Sequence, residues 1–247
     1  MKTYRDEAIV LRAHKLGEAD QILTLLTHSH GQVRAVAKGV RRTSSRFGGR
    51  LQLFNYVDVQ LYQGRSLDTI TQVECLHPYS DRFARSYDAY TRACVMVETA
   101  QRLTSEVGDP ASAQHLLLLG GLHSLAYARH DPQLTVDSYL LRALAVAGWA
   151  PSFYDCAVCG AHGPQTSFSV AAGGAVCDEC RPPGASRPRP GSLSLLGALL
   201  SGDWQDAEAA TSADRAGASA LVAAHVEWTM ERHLRSLPLV ERAPASS

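Results

Sequence analysis

Four cysteines in two pairs constrain this chain more than any other feature of its sequence. They form the motifs Cys156-x-x-Cys159 and Cys177-x-x-Cys180, with seventeen residues between the pairs. Two such pairs can enclose one zinc ion in a tetrahedron of four thiolates. A zinc ion with four protein ligands has no open position for water or substrate. The sequence therefore predicts one structural Zn²⁺, with these four cysteines as its metal ligands, and function has to be sought elsewhere in the chain.

The composition is typical of a soluble globular protein, with 45% hydrophobic and 19% charged residues. The first twenty residues mix acids and bases, which is not the pattern of a secretory signal. The most apolar stretch, residues 115–128, is too short to span a membrane. We therefore expect a reducing, cytoplasmic location, where paired cysteines are metal ligands rather than disulfides.

Positive charge is concentrated in one segment, although the formal net charge is zero. Residues 31–50 contain six cations and no acid; the cations are Arg34, Lys38, Arg41, Arg42, Arg46 and Arg50. Residues 202–220 show the opposite balance, with Asp203, Asp206, Glu208 and Asp214 against the single cation Arg215. A basic patch on a neutral chain predicts a local anionic partner rather than attraction by the whole surface.

The first 78 residues have the pattern of a small β-barrel. Short runs rich in Val, Ile, Leu, Thr and Tyr alternate with glycine-containing turns. Five such runs match the strand count of an oligonucleotide-binding (OB) barrel. In the fourth run Asn55 is the one polar residue on the apolar face. The predicted strands are residues 8–12, 21–27, 32–37, 51–62 and 67–74.

Helical spacing replaces the strand pattern after residue 78. The apolar positions predict helices over residues 81–105, 110–129 and 213–235. Another helix is marked by Asp131 as N-cap, Pro132 in the first turn and Gly148 at its end. The predicted fold class is α+β and multidomain: an N-terminal five-stranded OB-type β-barrel, an α-helical body, and a four-cysteine zinc module inserted in the helical part.

We predict four segments. Residues 1–78 form the OB-fold barrel, residues 79–152 a helical domain and residues 153–183 the zinc module. Residues 184–247 are a proline-rich linker and C-terminal helices that pack on the helical domain. The linker, from Arg181 to Pro190, and the acidic C-terminal segment have no role that the sequence defines.

The segment from Lys38 to Arg50 carries cations, hydroxyls and glycines between two predicted strands. Arginine and lysine neutralise phosphates, and glycines let the backbone approach a ligand. Phe47 in this segment and Phe54, Tyr56 and Tyr62 on the adjacent strand are candidates for stacking on bases. These features predict binding to single strands without sequence preference and with steep salt dependence. The alternative is a solvated loop over a barrel whose aromatic residues are core.

No catalytic constellation is recognisable, so we expect no enzyme. His28 and His30 lie in a turn and belong to no deaminase or peptidase signature. His162 is close enough to the first cysteine pair to replace a ligand, but four cysteines already complete a tetrahedron.

Four stretches of the chain resemble the bacterial recombination mediator family RecO, in the same order and at a matching length. The first is Ala8-Ile-Val-Leu-Arg12 with the segment from Gly17 to Leu23. The second is Ala37-Lys-Gly-Val-Arg-Arg42 with Ser44-Ser-Arg46 and Leu51-Gln-Leu-Phe54. The third and fourth are Tyr139-Leu-Leu-Arg-Ala-Leu144 with Gly148-Trp-Ala-Pro151 and the first cysteine pair, and Phe168-Ser-Val170 with the second pair.

The resemblance implies a protein that binds single- and double-stranded DNA and anneals complementary strands. It also implies work with RecR, and often RecF, to replace single-strand-binding protein by RecA during DNA repair. Transferred to this sequence, DNA contacts fall on Lys38, Arg41, Arg42 and Arg46, with Arg34 and Arg50 beside them. The zinc ligands fall on the four paired cysteines.

Two other classes stay open. One is a zinc-stabilised protein-interaction adaptor without intrinsic DNA binding, in which the basic loop meets an acidic partner. The other, weaker, is a metal-dependent nuclease or deaminase, against which the closed ligand set argues. Oligomeric state, the surface for RecR and the pocket for the tail of single-strand-binding protein are not defined by the sequence.

Overall fold

The computed structural model describes residues 2–45, 47–105, 111–230 and 234–240. Packing divides the chain into two compact units, residues 1–127 and residues 128–247. The predicted helical domain, residues 79–152, is therefore divided between them. No helix in the described ranges is long and apolar enough to cross a membrane.

The first unit is built on a closed five-stranded barrel, as predicted. The spatial order of its strands is β1-β2-β3-β5-β4, closed by pairing of β1 with β4. Neighbours are antiparallel except β3 and β5, which are parallel. This order and closure are those of an OB-type barrel. The strands are β1 (Thr3–Leu16), β2 (Asp20–Thr27), β3 (Gln32–Ala37), β4 (Tyr56–Tyr62) and β5 (Asp68–His77).

Strand β1 is much longer than the predicted residues 8–12, because it pairs with two neighbours. Its first half pairs with β4 and its second half with β2. The register shifts between Val10 and Arg12, so Leu11 forms a bulge that bends the strand round the barrel. Small and branched apolar side chains fill the interior, namely Ala8, Val10, Leu23, Leu25, Ala35, Ala37, Val57, Val59, Leu61 and Ile70.

The fourth strand begins at Tyr56, not at Leu51 as the alternation predicted. Residues Gly48–Leu51 form a short 3-10 helix instead. The side chain of Asn55 donates hydrogen bonds to the carbonyls of Gly49 and Arg50, at 3.2 and 3.1 Å, and accepts one from the amide of Ser80 at 2.9 Å. A buried amide with these partners is satisfied in the core. Asn55, the polar residue on the predicted apolar face, is therefore the last residue of the loop before β4.

Three helices complete the first unit: α1 (Tyr79–Phe83), α2 (Tyr87–Leu103) and α3 (Ser112–Ala126). The single predicted helix over residues 81–105 is broken before Ser86, which caps α2 by accepting from the amide of Ala89. Helix α3 contacts β1 and β2, and the buried ring of His115 is 3.1 Å from the carbonyl oxygen of Leu26. The predicted start of α3, near Pro110, lies outside the described residues.

The burial of His115 predicts acid-sensitive stability. Burial lowers the pKa of this imidazole from its ordinary value of 6.5, so the unfolded chain takes up the proton more readily than the folded chain. We expect the free energy of unfolding to fall as the pH drops below about 6.5. The variant His115→Gln keeps a hydrogen-bond donor for the carbonyl of Leu26. In denaturant titrations its free energy of unfolding should depend less on pH than that of the wild type. Identical pH dependence in both proteins would contradict this.

The second unit packs α4 (Pro132–Val146) against α5 (Pro190–Ser201) and α7 (Ser212–Thr229). The predicted N-cap is confirmed, since Asp131 accepts from the amides of Gln133 and Leu134. Helix α7 begins one residue before the predicted start, and residues 231–233 of the predicted range lie outside the described residues. Helix α5 and the short α6 (Trp204–Ala209) lie in the region predicted to hold C-terminal helices, but the sequence pattern gave no bounds for them.

Candidate nucleic-acid interface and metal centre

The basic loop, which we define as residues 38–50, is fixed to the turn between β1 and β2. The amide of Gly39 donates to the carboxylate of Asp20 at 2.7 Å, and the amide of Arg41 donates to the carbonyl of Ala19 at 3.0 Å. The guanidinium of Arg41 donates to the carbonyl of Glu18 at 2.9 Å. Gly39 has a φ of 68°, a left-handed conformation that favours glycine. The start of the loop therefore has a defined position.

The other end of the basic loop is held by the barrel core. Phe47 is 2% exposed and Leu51 is 3% exposed, and both belong to the interior cluster of the barrel. The ring of Phe47 therefore packs in the barrel interior and is not available to stack on a base. The described part of the loop is thus anchored on both sides of Arg42, which restricts the backbone conformations of that residue.

The cations of the loop and of β3 are exposed. Arg34, Lys38, Arg41, Arg42 and Arg50 all lie on the surface. Arg34, Lys38 and Arg42 have no carboxylate within salt-bridge distance in the described ranges. Arg41 binds backbone carbonyls, so it is a positioning residue as well as a charge. Arg46 lies outside the described residues.

The strand face beside the loop carries a further exposed arginine, Arg12, which lies outside the basic segment of the sequence. Arg12 of β1 is paired with Thr24 of β2, and Thr24 is paired with Arg34 of β3. Neighbouring strands are about 4.8 Å apart, so the two arginines stand roughly 10 Å apart on one face. The apolar pattern of the first run ends at Arg12, so the sequence does not predict that Arg12 lies inside a longer paired strand.

The structure does not support base stacking by Phe54 or Tyr56. Phe54 is 1% exposed, and its ring packs edge-on against Phe83 and Tyr90 at centroid distances of 5.3 Å. Tyr56 is 9% exposed and its hydroxyl donates to the carboxylate of Glu7. Burial, with this bond, raises the pKa of Tyr56 above its ordinary range. Both rings stabilise the fold, because helices cover the side of the barrel where they lie.

Asp20 offers a test of the anchored loop that separates charge from position. Asp20→Asn and Asp20→Ala remove the same negative charge, which by itself should strengthen binding to DNA. Only Asn keeps an acceptor for the amide of Gly39. We expect the Ala variant to bind a labelled single strand about 5- to 10-fold more weakly than the Asn variant, the worth of one hydrogen bond of about 1–1.4 kcal/mol. Equal affinities would show that this bond does not position the loop.

The four paired cysteines come together in the second unit as predicted. Their sulfur atoms all lie within 4.8 Å of one another, and those of Cys159 and Cys177 are 3.9 Å apart. Tetrahedral Zn–S bonds of about 2.3 Å require sulfur atoms about 3.8 Å apart. The cluster therefore fits a single tetrahedral metal ion with thiolate ligands.

Backbone geometry prepares the first cysteine pair for a metal. The amide of Gly160, at a φ of 72°, donates to the carbonyl of Cys156 at 2.8 Å, which closes the knuckle. The amide of Cys177 donates to the sulfur of Cys156 at 3.4 Å. Amide donors from Cys159 and Cys177 lower the pKa of Cys156, whereas side-chain hydrogen bonds within the cluster raise the pKa of Cys180. His162 is outside the cluster; its ring is 2.7 Å from a carboxylate oxygen of Asp155.

A two-stranded hairpin, β6 (Ser167–Ser169) and β7 (Gly174–Val176), leads into the second cysteine pair. The amide of Ala157 donates to the carbonyl of Ala175 at 2.8 Å, which joins the two knuckles. At Gly174 a Cβ atom would clash with the carbonyl oxygen of Ser152, so only glycine fits. The module is thus braced by backbone contacts and by the sulfur cluster.

Together these features define an OB-barrel protein with an anchored basic loop and a separate four-cysteine metal module. Two family models match the chain: Recombination protein O N terminal over residues 1–79 and Recombination protein O C terminal over residues 84–238. A relative, DNA repair protein RecO of Thermobifida fusca (strain YX), is 54% identical over 243 residues, which cover 98% of this chain and 100% of the relative. The chain belongs to the RecO family of DNA repair proteins.

Proposed function

We propose that this protein binds single- and double-stranded DNA through the basic loop and the adjacent strand face, and anneals complementary single strands. The observation that carries the proposal is the docking of the loop on the β1–β2 turn, which presents Lys38 and Arg42 without carboxylate partners in the described ranges. Strands β2 and β3 and their neighbouring loops are the surface by which OB barrels bind oligonucleotides.

The proposed contacts go to phosphates rather than to base edges. Arg12, Arg34, Lys38 and Arg42 are cations on strands and an anchored turn, and in the described part of the loop and of β3 no exposed aromatic residue stands among them. Such a surface binds the backbone of any sequence and loses affinity steeply with salt. Two single strands repel each other through their phosphates. A protein that neutralises phosphates and leaves base edges uncovered lowers this barrier to pairing.

The metal of the second unit is proposed to be one structural zinc ion. Thiolates are the ligands that zinc prefers in closed four-coordinate sites, and four of them leave no place for a reacting water. Bound zinc would supply folding free energy, since the four thiolates would otherwise repel one another. The chain's own residues prepare the cluster through the amides that face Cys156.

In the cell we propose a mediator role, in which the protein works with RecR, and with RecF, to help load RecA onto DNA coated with single-strand-binding protein. The family relationship supports this proposal. The alternative, an adaptor without intrinsic DNA binding, differs from it in one simple property: it would not bind DNA tightly at any salt concentration.

The experiment is annealing of labelled complementary strands already coated with single-strand-binding protein, with and without RecR. We expect the protein to speed annealing of coated strands and RecR to change its rate. A parallel titration of a labelled oligonucleotide at low and high salt should give tight binding that weakens with salt. No tight binding at either salt concentration would favour the adaptor and contradict the proposal.

A further inference from the structure

The segment from Arg181 to Pro190, which its composition predicts to be a linker and which we call the arginine arm, pairs with the metal module. It runs beside the metal hairpin, where the amide of Phe168 donates to the carbonyl of Ser186 and the amide of Ser186 donates to the carbonyl of Phe168, both at 2.9 Å. The hydroxyl of Ser186 also donates to the carbonyl of Phe168, at 3.2 Å. Ser186 thus occupies the place of a third strand next to β6.

This pairing fixes the backbone just before two exposed arginines. Arg187 and Arg189 are both exposed, and each precedes a proline. A residue before proline is restricted to extended conformations, and Arg189 has a φ of −61° and a ψ of 144°. The two guanidinium groups therefore extend from a backbone that is already ordered, so binding through them costs little conformational entropy.

The arm is positively charged and has few acids to neutralise it. From Arg181 to Gly202 the sequence contains three arginines and no Asp or Glu. Arg181 is 3.9 Å from a carboxylate oxygen of Asp178. Arg187 and Arg189 have no carboxylate within 4.0 Å in the described parts of the chain.

One acid stands near the end of the arm, but it is already bonded. A Cβ atom on Gly191 would lie 2.6 Å from the carboxylate of Asp214. That carboxylate accepts a hydrogen bond from the hydroxyl of Thr211 at 2.6 Å, at the N-terminus of α7. The first turn of α5 is therefore occupied by Asp214 and is not an anion site. The arginines before it carry the charge of the arm.

The chemistry of the arm fits phosphodiester better than protein. Guanidinium groups bind phosphate in a bidentate fork. Protein interfaces depend on a few side chains, chiefly Trp, Tyr and Arg, that are buried in well-packed pockets. The ten residues of the arm include no aromatic residue and no Val, Ile, Leu or Met. An exposed segment of arginine, proline and small residues can contact a charged backbone, but offers nothing for a hydrophobic pocket.

We propose that the arginine arm is a second phosphate-binding site, which takes a second single strand while the first is bound by the basic loop. This inference rests on the proposed annealing function and explains it further. One chain with two sites for phosphate backbone can bring two strands together, which a single site cannot do.

The test is bridging of two non-complementary strands, one with a donor and one with an acceptor fluorophore, by the full-length protein loaded with zinc. We expect energy transfer with the wild-type protein and its loss in Arg187→Gln/Arg189→Gln, together with slower annealing of complementary strands. The slope of log bridging affinity against log salt concentration should fall in magnitude by about 1.4, which is about 0.7 for each lost phosphate contact on a single strand. Arg129→Gln, which neutralises another exposed arginine of the same unit, is the control for loss of positive charge outside the arm and should bridge normally.

The loop variant Lys38→Gln/Arg42→Gln separates this inference from the function on which it rests. If the loop variant loses binding while the arm variant bridges and anneals like wild type, the arm inference is wrong and the proposed function stands. If neither variant changes binding or annealing, the arm inference and the proposed function are both wrong. Normal bridging by the arm variant with lost capture of polyglutamate would assign the arm to an acidic protein instead and would also overturn the inference.

Discussion

Reversing the charge of the loop, by Lys38→Glu with Arg42→Glu, is expected to weaken binding to single-stranded DNA roughly 100-fold. Each residue is exposed and has no carboxylate partner in the described ranges, so its loss removes a phosphate contact and no internal ion pair. A contact between charged groups contributes about 1.5 kcal/mol or more, so two account for this factor. Fluorescence anisotropy over a salt series should show that the slope of log affinity against log salt concentration is smaller in magnitude by about 1.4.

The matched control for this reversal is Lys2→Glu with Arg129→Glu. It makes the same change in net charge at two exposed cations that do not belong to the basic loop. A merely electrostatic effect of net charge would weaken binding equally in both double variants. Arg41 is left unchanged, because its guanidinium also holds the loop against the β1–β2 turn. Wild-type affinity and salt slope in the loop variant would remove the basis of the proposed interface.

Breaking the sulfur cluster with Cys159→Ser is expected to abolish metal binding and destabilise the second unit. Structural zinc contributes an apparent 10–16 kcal/mol in small zinc modules, which is comparable with the whole stability of a domain. A loss of about 5 kcal/mol would lower the melting temperature by roughly 10 °C or more in a protein of this size. We expect metal analysis to find no bound zinc and the variant to lose solubility before its DNA contacts are affected.

His162→Ala is the control for the metal prediction. His162 is close in sequence to the first cysteine pair but bonds to Asp155 and lies outside the sulfur cluster. This variant should keep one zinc ion per chain and nearly the same melting temperature. A soluble, well-folded Cys159→Ser protein with a selective loss of DNA binding would show that the metal acts at the interface and does not brace the fold.

Features carried by local residue pattern were predictable from the sequence. The two cysteine pairs converge as their spacing predicts, because each pair is a tight knuckle and only the pairs have to meet. Asp131 and Pro132 define the start of α4, because a helix N-terminus needs local partners for its amides. The strand count of the barrel followed from glycine turns between apolar runs.

Features set by tertiary contacts were not predictable in the same way. Phe54 alternates with apolar residues as a strand residue does, yet it has a φ of 74° and packs on helices distant in sequence. The long pairing of β1 and the position of Arg12 depend on two partner strands. The arginine arm pairs with β6 through the single residue Ser186, and one residue leaves no periodicity to detect.

The most direct test of the central claim, that the anchored basic loop contacts the DNA backbone, is lysine acylation in the presence of DNA. The chain has three lysines, Lys2, Lys15 and Lys38, so each can be followed separately by mass spectrometry. Saturating single-stranded DNA is expected to slow acylation of Lys38 strongly and to leave Lys2 reactive. Equal acylation of Lys38 with and without DNA, under conditions where DNA is bound, would contradict the claim.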